Sequence, residues 1–422
     1  MKLSPIKKIL VVAESIDVED SSGTKGRVAL IKNLQKAGFE VLVYHYTRKE
    51  IHLKGIKCIG LKENRLSIMF FLSRAERLLR HKLKLDLHIP LEKIFGFSFT
   101  LFNDRNSIAG GLRKINNFEP DLVLTLSKGG SFRPHHALLQ MPEWHHKWMA
   151  YIHDPYPMHL YPRPFAWVEP GYFRKWEFVK DVSEKAGFSA FPSQLLKEWM
   201  GSYFPQFLKT GVVIPHQIDI TNSESDNLPT YFEPERFNLL HAGNLLGPRN
   251  PIFLIEAFKQ FLDRNPEAAS NASLIFIGNN REQNLQLQDY EEIISEGNLI
   301  IKPSLDYRTV LTMQKLAAVN IILEAKSEIS PFLPGKFPHC VEANKPVLLL
   351  GPKLSESRRL LGEAYDNWSE IDNVEEISIL IERLYLQWKA AKGDFQLNRP
   401  DLEYYLSEKH LKFVINELKI EL

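Results

Sequence analysis

FNLLHAGNLLGPRNPIFLIEAFKQF, residues 237–261, is the stretch whose reading decides the fold. Its first six residues, Phe237–Ala242, make an apolar run of the kind a buried parallel strand needs, and Gly243 ends it. Residues 244–251 then turn the chain, with Gly247 and Pro248 to bend it and one cation, Arg249. Phe253, Leu254, Ala257, Phe258 and Phe261 follow at helical spacing. A strand, a loop with glycine and arginine, and a helix suit a phosphate, because loop amides and the positive helix end attract an anion that a guanidinium clamps. The same order joins any strand to any helix in an α/β domain, so the local pattern leaves both readings open.

The rest of the chain sets limits on the choice. Its 422 residues exceed one ordinary core, so two domains are expected, 1–220 and 237–400, joined by a polar linker at 221–236. With 44% hydrophobic and 25% charged residues it reads as a soluble globular protein. A formal net charge of +2 argues against a nucleic-acid partner. Cys58 and Cys340 stand far apart in apolar surroundings, as buried thiols of a reducing compartment do. No signal peptide and no run of membrane-spanning length is seen, so the expectation is a cytoplasmic protein, at most peripheral to the inner face of a membrane.

Lys8–Ala13 reads as a buried strand, 15–26 as a loop rich in Asp, Ser and Gly, 27–37 as a helix stopped by Gly38, and 39–46 as a second strand. This is a Rossmann-like start without the dinucleotide fingerprint, since Ser22, Gly23 and Gly26 do not spell GxGxxG. From 61 to 114 the pattern is helical and basic. Arg65, Arg74, Arg77, Arg80, Lys82, Lys84 and Lys93 interleave with Met69, Phe70, Phe71, Leu78 and Leu79. Such a run is ordinarily a solvated face over a core stripe; the alternative is a helix resting on anionic lipid. Further strands are expected at 121–126 and 148–152, the second delivering His153 and Asp154 at its carboxyl end, where open α/β sheets bind ligands. An imidazole beside a carboxylate orients a hydroxyl or moves a proton, and it also simply caps the next segment. No cluster of residues has metal-ligand spacing: His135/His136 and His145/His146 are adjacent pairs, which do not face one ligand together.

In the second half, Ala272–Ile277, Leu299–Lys302 and Val319–Leu323 read as strands. The run 327–352, SEISPFLPGKFPHCVEANKPVLLLGP, reads as a Pro/Gly-broken loop presenting Lys336 ahead of a short helix, then a strand at 346–350. A helix over 404–418 closes the chain.

These stretches resemble the donor domain of GT-B glycosyltransferases, in particular the retaining family 4. Gly243, Asn244, Leu245, Arg249, Leu254, Ile255, Ala257 and Phe258 answer its G-[RNT]-L-x-x-x-[KR]-x-x-x-x-L-I-x-A-F pattern. Lys336, Lys345, Pro346 and Val347 match its S-P-x-x-P-x-K-x-x-E-Y-x-A-x-G-K-P-V pattern, with Pro331 and His339 where two glutamates would fall and Glu328 and Glu342 as the nearest carboxylates. PHQID, residues 215–219, resembles the I-P-N-G-V-D signature that ends the first domain, and YIHDPYP resembles the T-x-H-D context of a cleft histidine.

The resemblance implies a GT-B fold of two Rossmann-like domains facing a cleft, with the last helix, 401–422, crossing back onto the first domain. It implies a retaining transfer from a nucleotide-sugar donor to a glycan or lipid-linked acceptor, as in cell-surface polysaccharide synthesis, without a metal or other cofactor. Arg249 and Lys336 would meet the departing diphosphate, with Gly243, Asn244, Gly278, Ser304, Leu305 and His339 around the donor. His153 and Asp154 would meet the transferred sugar or acceptor, and Ser22, Gly23 and Thr24 the acceptor side. The departures leave two other functions in view, a non-catalytic sugar-nucleotide-binding subunit and a sugar-nucleotide epimerase of the same fold.

Overall fold

The computed structural model describes residues 5–47, 49–219, 227–245, 247–279, 287, 290, 297–392 and 395–419. Two compact units contain them. The first comprises the described residues of Met1–Tyr161, Ala166–Asp219 and Tyr405–Leu422, the second those of Pro162–Phe165 and Ile220–Tyr404.

The first unit is built on seven parallel strands: β1 (Lys8–Ala13), β2 (Glu40–His45), β3 (Lys57–Gly60), β4 (Leu122–Leu126), β5 (Trp148–Tyr151), β6 (Phe188–Phe191) and β7 (Gly211–Val213), in spatial order β3-β2-β1-β4-β5-β6-β7. Leu10, Val11 and Val12 are wholly buried, as a strand covered on both faces requires, and β1 pairs with β2 on one side and β4 on the other. The second unit repeats the order with β8 (Phe237–Ala242), β9 (Ala272–Ile277), β10 (Leu299–Lys302), β11 (Val319–Leu323), β13 (Val347–Leu350) and β15 (Trp368–Ser369), arranged β10-β9-β8-β11-β13-β15. A separate parallel pair joins β12 (Ile329–Ser330) to β14 (Leu354–Ser355). In each sheet the winding reverses beside its first strand, between β1 and β4 and between β8 and β11. Loops leaving the carboxyl ends of those strands are where such sheets hold ligands.

Several expectations need correction. The first helix begins at Ser22 and not at residue 27. Gly23, Thr24 and Gly26, read as loop residues, form its first turns, entered through Ser21, whose hydroxyl lies 3.0 Å from that of Thr24. The 61–114 tract is three helices, Ile68–Lys82, His88–Phe95 and Phe99–Leu112. Only the last carries a buried stripe; the first buries Ser73 alone and the second nothing, so the core-stripe reading fails there. The closing helix is two, Pro400–Tyr405 and Glu408–Asn416, separated where Ser407 caps the second. Leu411 and Ile415 enter the core of the first unit against the helix Ser22–Lys36, whereas Tyr404 and Phe413 are exposed. The 215–219 segment also folds onto that helix: Lys32 pairs with Asp219 at 2.8 Å and Asn33 Nδ2 donates to Ile218 O at 2.9 Å. Of the expected linker, residues 221–226 lie outside the described residues.

Candidate functional site

In the second unit, β8 and β11 are hydrogen-bonded neighbours on either side of the reversal, so the residues that follow them, Gly243 and Glu324, leave the sheet from its switch point. The loop after β8 is pinned to the end of β9: Gly243 N donates to Ile277 O at 2.8 Å and Asn279 N to Asn244 Oδ1 at 2.9 Å. Close approach of two backbones requires glycine at 278, and glycine at 243 leaves room for Lys336. A Cβ on Gly278 would stand 2.3 Å from Gly243 O, and one on Gly243 would stand 2.8 Å from Lys336 Nζ. The loop ends where Asn250 Oδ1 accepts from Ile252 N, opening the helix Ile252–Arg264, whose Leu254, Ile255, Ala257, Phe258 and Phe261 are buried.

Lys336 precedes the helix Phe337–Glu342, too short for much of a macrodipole, and its ammonium runs instead to the base of the β8 loop. Nζ lies 3.1 Å from Nε2 and 3.3 Å from Nδ1 of His241, a buried residue of β8. Desolvation pushes the Lys336 amine down to about 7; the neighbouring Cys340 works against the shift and the Arg249 charge adds to it. Burial likewise holds His241 well below the usual imidazole range, with repulsion from Lys336 and then Arg249 in the same direction. Arg249 and Lys336, far apart in sequence, thus feel each other and share one neighbour.

Arg249 also lines a small pocket with Phe165, Glu324, Ser327, Ser330 and Phe332, all residues of the second unit. The rings of Phe165 and Phe332 meet edge to face at 6.1 Å. Glu324, like His241, is a site residue that sequence reasoning missed. It is 3% exposed, its Oε1 accepts from Ser357 Oγ at 2.7 Å, and its buried Oε2 lacks a hydrogen bond of normal geometry. Burial raises its pKa, while the hydroxyls of Ser357, Ser355 and Ser330 and the Arg249 charge pull the other way. The carboxylates singled out earlier lie elsewhere: Glu328 is exposed and Glu342 pairs with Lys315 at 3.8 Å.

The other expected donor residues are not part of this cluster. His339 Nε2 is 2.9 Å from the Tyr307 hydroxyl, Ser304 is exposed, and Leu305 packs against the buried cluster of Phe232 and Met313. In the first unit, His153 lies two residues past β5, its ring tilted against that of Tyr151 at 4.3 Å, and its buried Nε2 has no hydrogen-bond partner. Burial depresses its pKa well below the ordinary value, helped by Arg27, His216 and His135. Asp154 makes no hydrogen bond to that nitrogen; its carboxylate bonds the Tyr161 hydroxyl and feels the Arg27 charge. Thr24 is buried and its Oγ1 accepts from Arg27 at 2.6 Å, so its hydroxyl is occupied within the protein. A Cβ on Gly23 would stand 3.5 Å from the Arg27 guanidinium. Of Ser22 only the backbone is described, as the first residue of the helix. Among the described residues no group of three potential metal ligands converges.

No protein-family model matches this chain, and no curated protein matches it. Solved structures do. A trehalose-6-phosphate synthase, OtsA, superposes with a TM-score of 0.63 at 12% identity, covering 98% of this chain and 99% of that one. An E. coli trehalose-6-phosphate structure with UDP-2-fluoro glucose bound gives 0.60 at 13% identity, over 98% and 99%. A glycosyltransferase from Rickettsia africae ESF-5 gives 0.54 at 14% identity, over 95% and 98%. The solved structures do not single out family 4, which rests on the motifs. At these identities the likeness is one of architecture, and together with the two parallel sheets it establishes that the chain has the two-domain GT-B fold.

Proposed function

We propose that the protein is a retaining glycosyltransferase that takes a sugar from a nucleotide-sugar donor and passes it to a glycan or lipid-linked acceptor in cell-surface polysaccharide synthesis. The observation that carries the reading is the approach of Lys336 to His241 and Gly243 within the electrostatic reach of Arg249. Loss of a nucleoside diphosphate builds negative charge on the departing oxygen, and prepositioned cations in a water-poor site lower that barrier most. Arg249 offers a fork for two phosphate oxygens and Lys336 a point charge. Nucleotide sugar is the co-substrate, and the scheme assigns no step to a metal. His153, with an unengaged Nε2, is assigned to the transferred sugar or the acceptor.

Ligands of the fold neighbours choose the test panel: one was solved with UDP-2-fluoro glucose and another with glucose-6-phosphate. UDP- and GDP-sugars are mixed with the protein, and melting temperature, donor hydrolysis and transfer are followed. A raised melting temperature with slow hydrolysis or transfer is expected. A shift without turnover assigns the protein to sugar-nucleotide binding alone, isomer formation without acceptor assigns it to epimerisation, and no shift with any donor overturns the reading. Arg249→Ala is expected to lower kcat/KM about 100-fold through loss of diphosphate contact; unchanged kinetics removes that assignment.

A further inference from the structure

The helix Ile68–Lys82 turns its apolar side outward. Ile68, Phe71, Leu72 and Leu78, spaced by three and four residues or multiples of a turn, are all exposed, as are Leu66, Leu83 and Leu85 beside them. Leu66 is 88% and Ile68 75% exposed. The helix His88–Phe95 continues the surface with exposed Ile89, Ile94 and Phe95. So does the segment before the helix Tyr172–Lys185, which exposes Trp167, Val168 and, in the first turn, Phe173. These pieces are neighbours: a Cβ on Gly171 would stand 2.2 Å from Glu92 O, and one on Gly96 2.2 Å from Arg174 Cβ.

Charge is sorted across this surface. Lys62, Arg65, Arg74, Lys82, Lys84 and Lys93 are exposed. The carboxylates are turned inward or engaged. Glu76 and Glu92 lie 3.7 and 3.5 Å from His88, Glu92 and Glu169 hold Lys175 at 3.4 and 2.8 Å, and Glu63 pairs with Arg65. Asp86, exposed, caps His88 N. A core stripe would be covered, and a solvated face would be polar. A surface that exposes phenylalanine, leucine, isoleucine and tryptophan among mostly unpaired exposed cations is matched by a layer that is apolar below and anionic above.

We propose that the face formed by residues 66–95 and 167–173 docks on an anionic phospholipid bilayer, its aromatic and aliphatic side chains entering the headgroup boundary and its lysines and arginines meeting the phosphates. No helix among the described residues is long and apolar enough to cross a membrane, so the contact is one of lying on the surface. The proposal goes beyond donor chemistry, which involves other residues, and its assay contains no donor.

The test is co-flotation of the full chain with vesicles of phosphatidylcholine alone or mixed with phosphatidylglycerol, in about 0.1 M salt. At least about tenfold preference for the anionic vesicles is expected. Arg74→Glu with Lys82→Glu is expected to reduce binding about 100-fold, and Phe71→Ser with Leu78→Ser about tenfold or more. These side chains are exposed or nearly so, and an unchanged melting temperature certifies the variants as folded. Equal recovery with both vesicle types, or undiminished binding by both double variants, overturns the proposal. So does a concentration-dependent dimer that Phe71→Ser with Leu78→Ser disperses while neither protein floats, which gives the face to a second copy.

Discussion

At the scale of single residues, Lys336 gives the proposed chemistry a pH signature. Its pKa near 7 in the folded, donor-free protein lies below the 10.5 of an ordinary lysine, so between those values the unfolded chain binds a proton that the folded one does not. Stability of the empty protein therefore rises with pH from about 7 toward 10, and this contribution is lost as pH falls through 7. Lys336→Met is expected to abolish that slope and to raise the melting temperature of the empty protein at pH 6 by about 2–4 °C, on the order of 1 kcal/mol, while eliminating the donor-induced shift. A bound diphosphate restores the ammonium, so donor binding at pH 8 takes up a proton; calorimetry in buffers of different ionisation enthalpy reads it, and no uptake sinks the role. Glu324 obeys the opposite sign. Burial raises its pKa, so its ionised form costs stability as pH rises through that value. Glu324→Gln keeps an acceptor for Ser357 and removes the charge beside Arg249. The expected variant shows a flatter dependence of stability on pH and is about tenfold slower in transfer, whereas a purely structural carboxyl would leave turnover intact.

Elements were legible in proportion to how fully they are buried. β1, β8, β9 and β11 lie where largely apolar runs put them, because a strand covered on both faces is apolar along most of its length. The sequence places the start of the first helix too late because Ser21, Ser22, Gly23 and Gly26 resemble a turn; the Ser21–Thr24 hydroxyl contact and the buried Arg27–Thr24 contact accompany the helical conformation there. Amphipathy of Ile68–Lys82 was visible, but periodicity does not say which side of a helix faces out. The motif made Gly243, Arg249 and Lys336 visible. His241 and Glu324 were not, since a histidine inside an apolar strand and a glutamate just past one carry no local signal; their meaning comes from the adjacency of β8 and β11. The β8–β9 junction offers a test at this level. Gly278→Ala must push apart two backbones, since its Cβ meets Gly243 O and lies 3.1 Å from Asn244 N. A loss of about 2–4 kcal/mol in stability and of donor binding is expected. Gly335→Ala, beside Lys336 with nothing within 4 Å of its Cβ, is expected to leave both nearly unchanged.

For the molecule as a whole, the repeated β3-β2-β1-β4 order and its counterpart β10-β9-β8-β11 could not be read from local patterns, which give strands and not their neighbours. What makes the chain more than two successive folds is its return: Tyr405 onward belongs to the first unit, where Ile218 N donates to Leu406 O at 3.0 Å and Leu406, Leu411 and Ile415 are at most 1% exposed. Stability of the first unit therefore depends on residues translated after the second. Leu411→Ala with Ile415→Ala leaves a cavity against the helix Ser22–Lys36 and is expected to cost about 4–8 kcal/mol, read as a lowered calorimetric transition. All the diphosphate contacts proposed here come from the second unit, so the double variant, below its transition, is expected to retain the donor-induced melting shift. If that shift disappears while the second unit's transition stays in place, donor recognition requires the first unit too, and the assignment of the diphosphate to Arg249 and Lys336 alone is wrong.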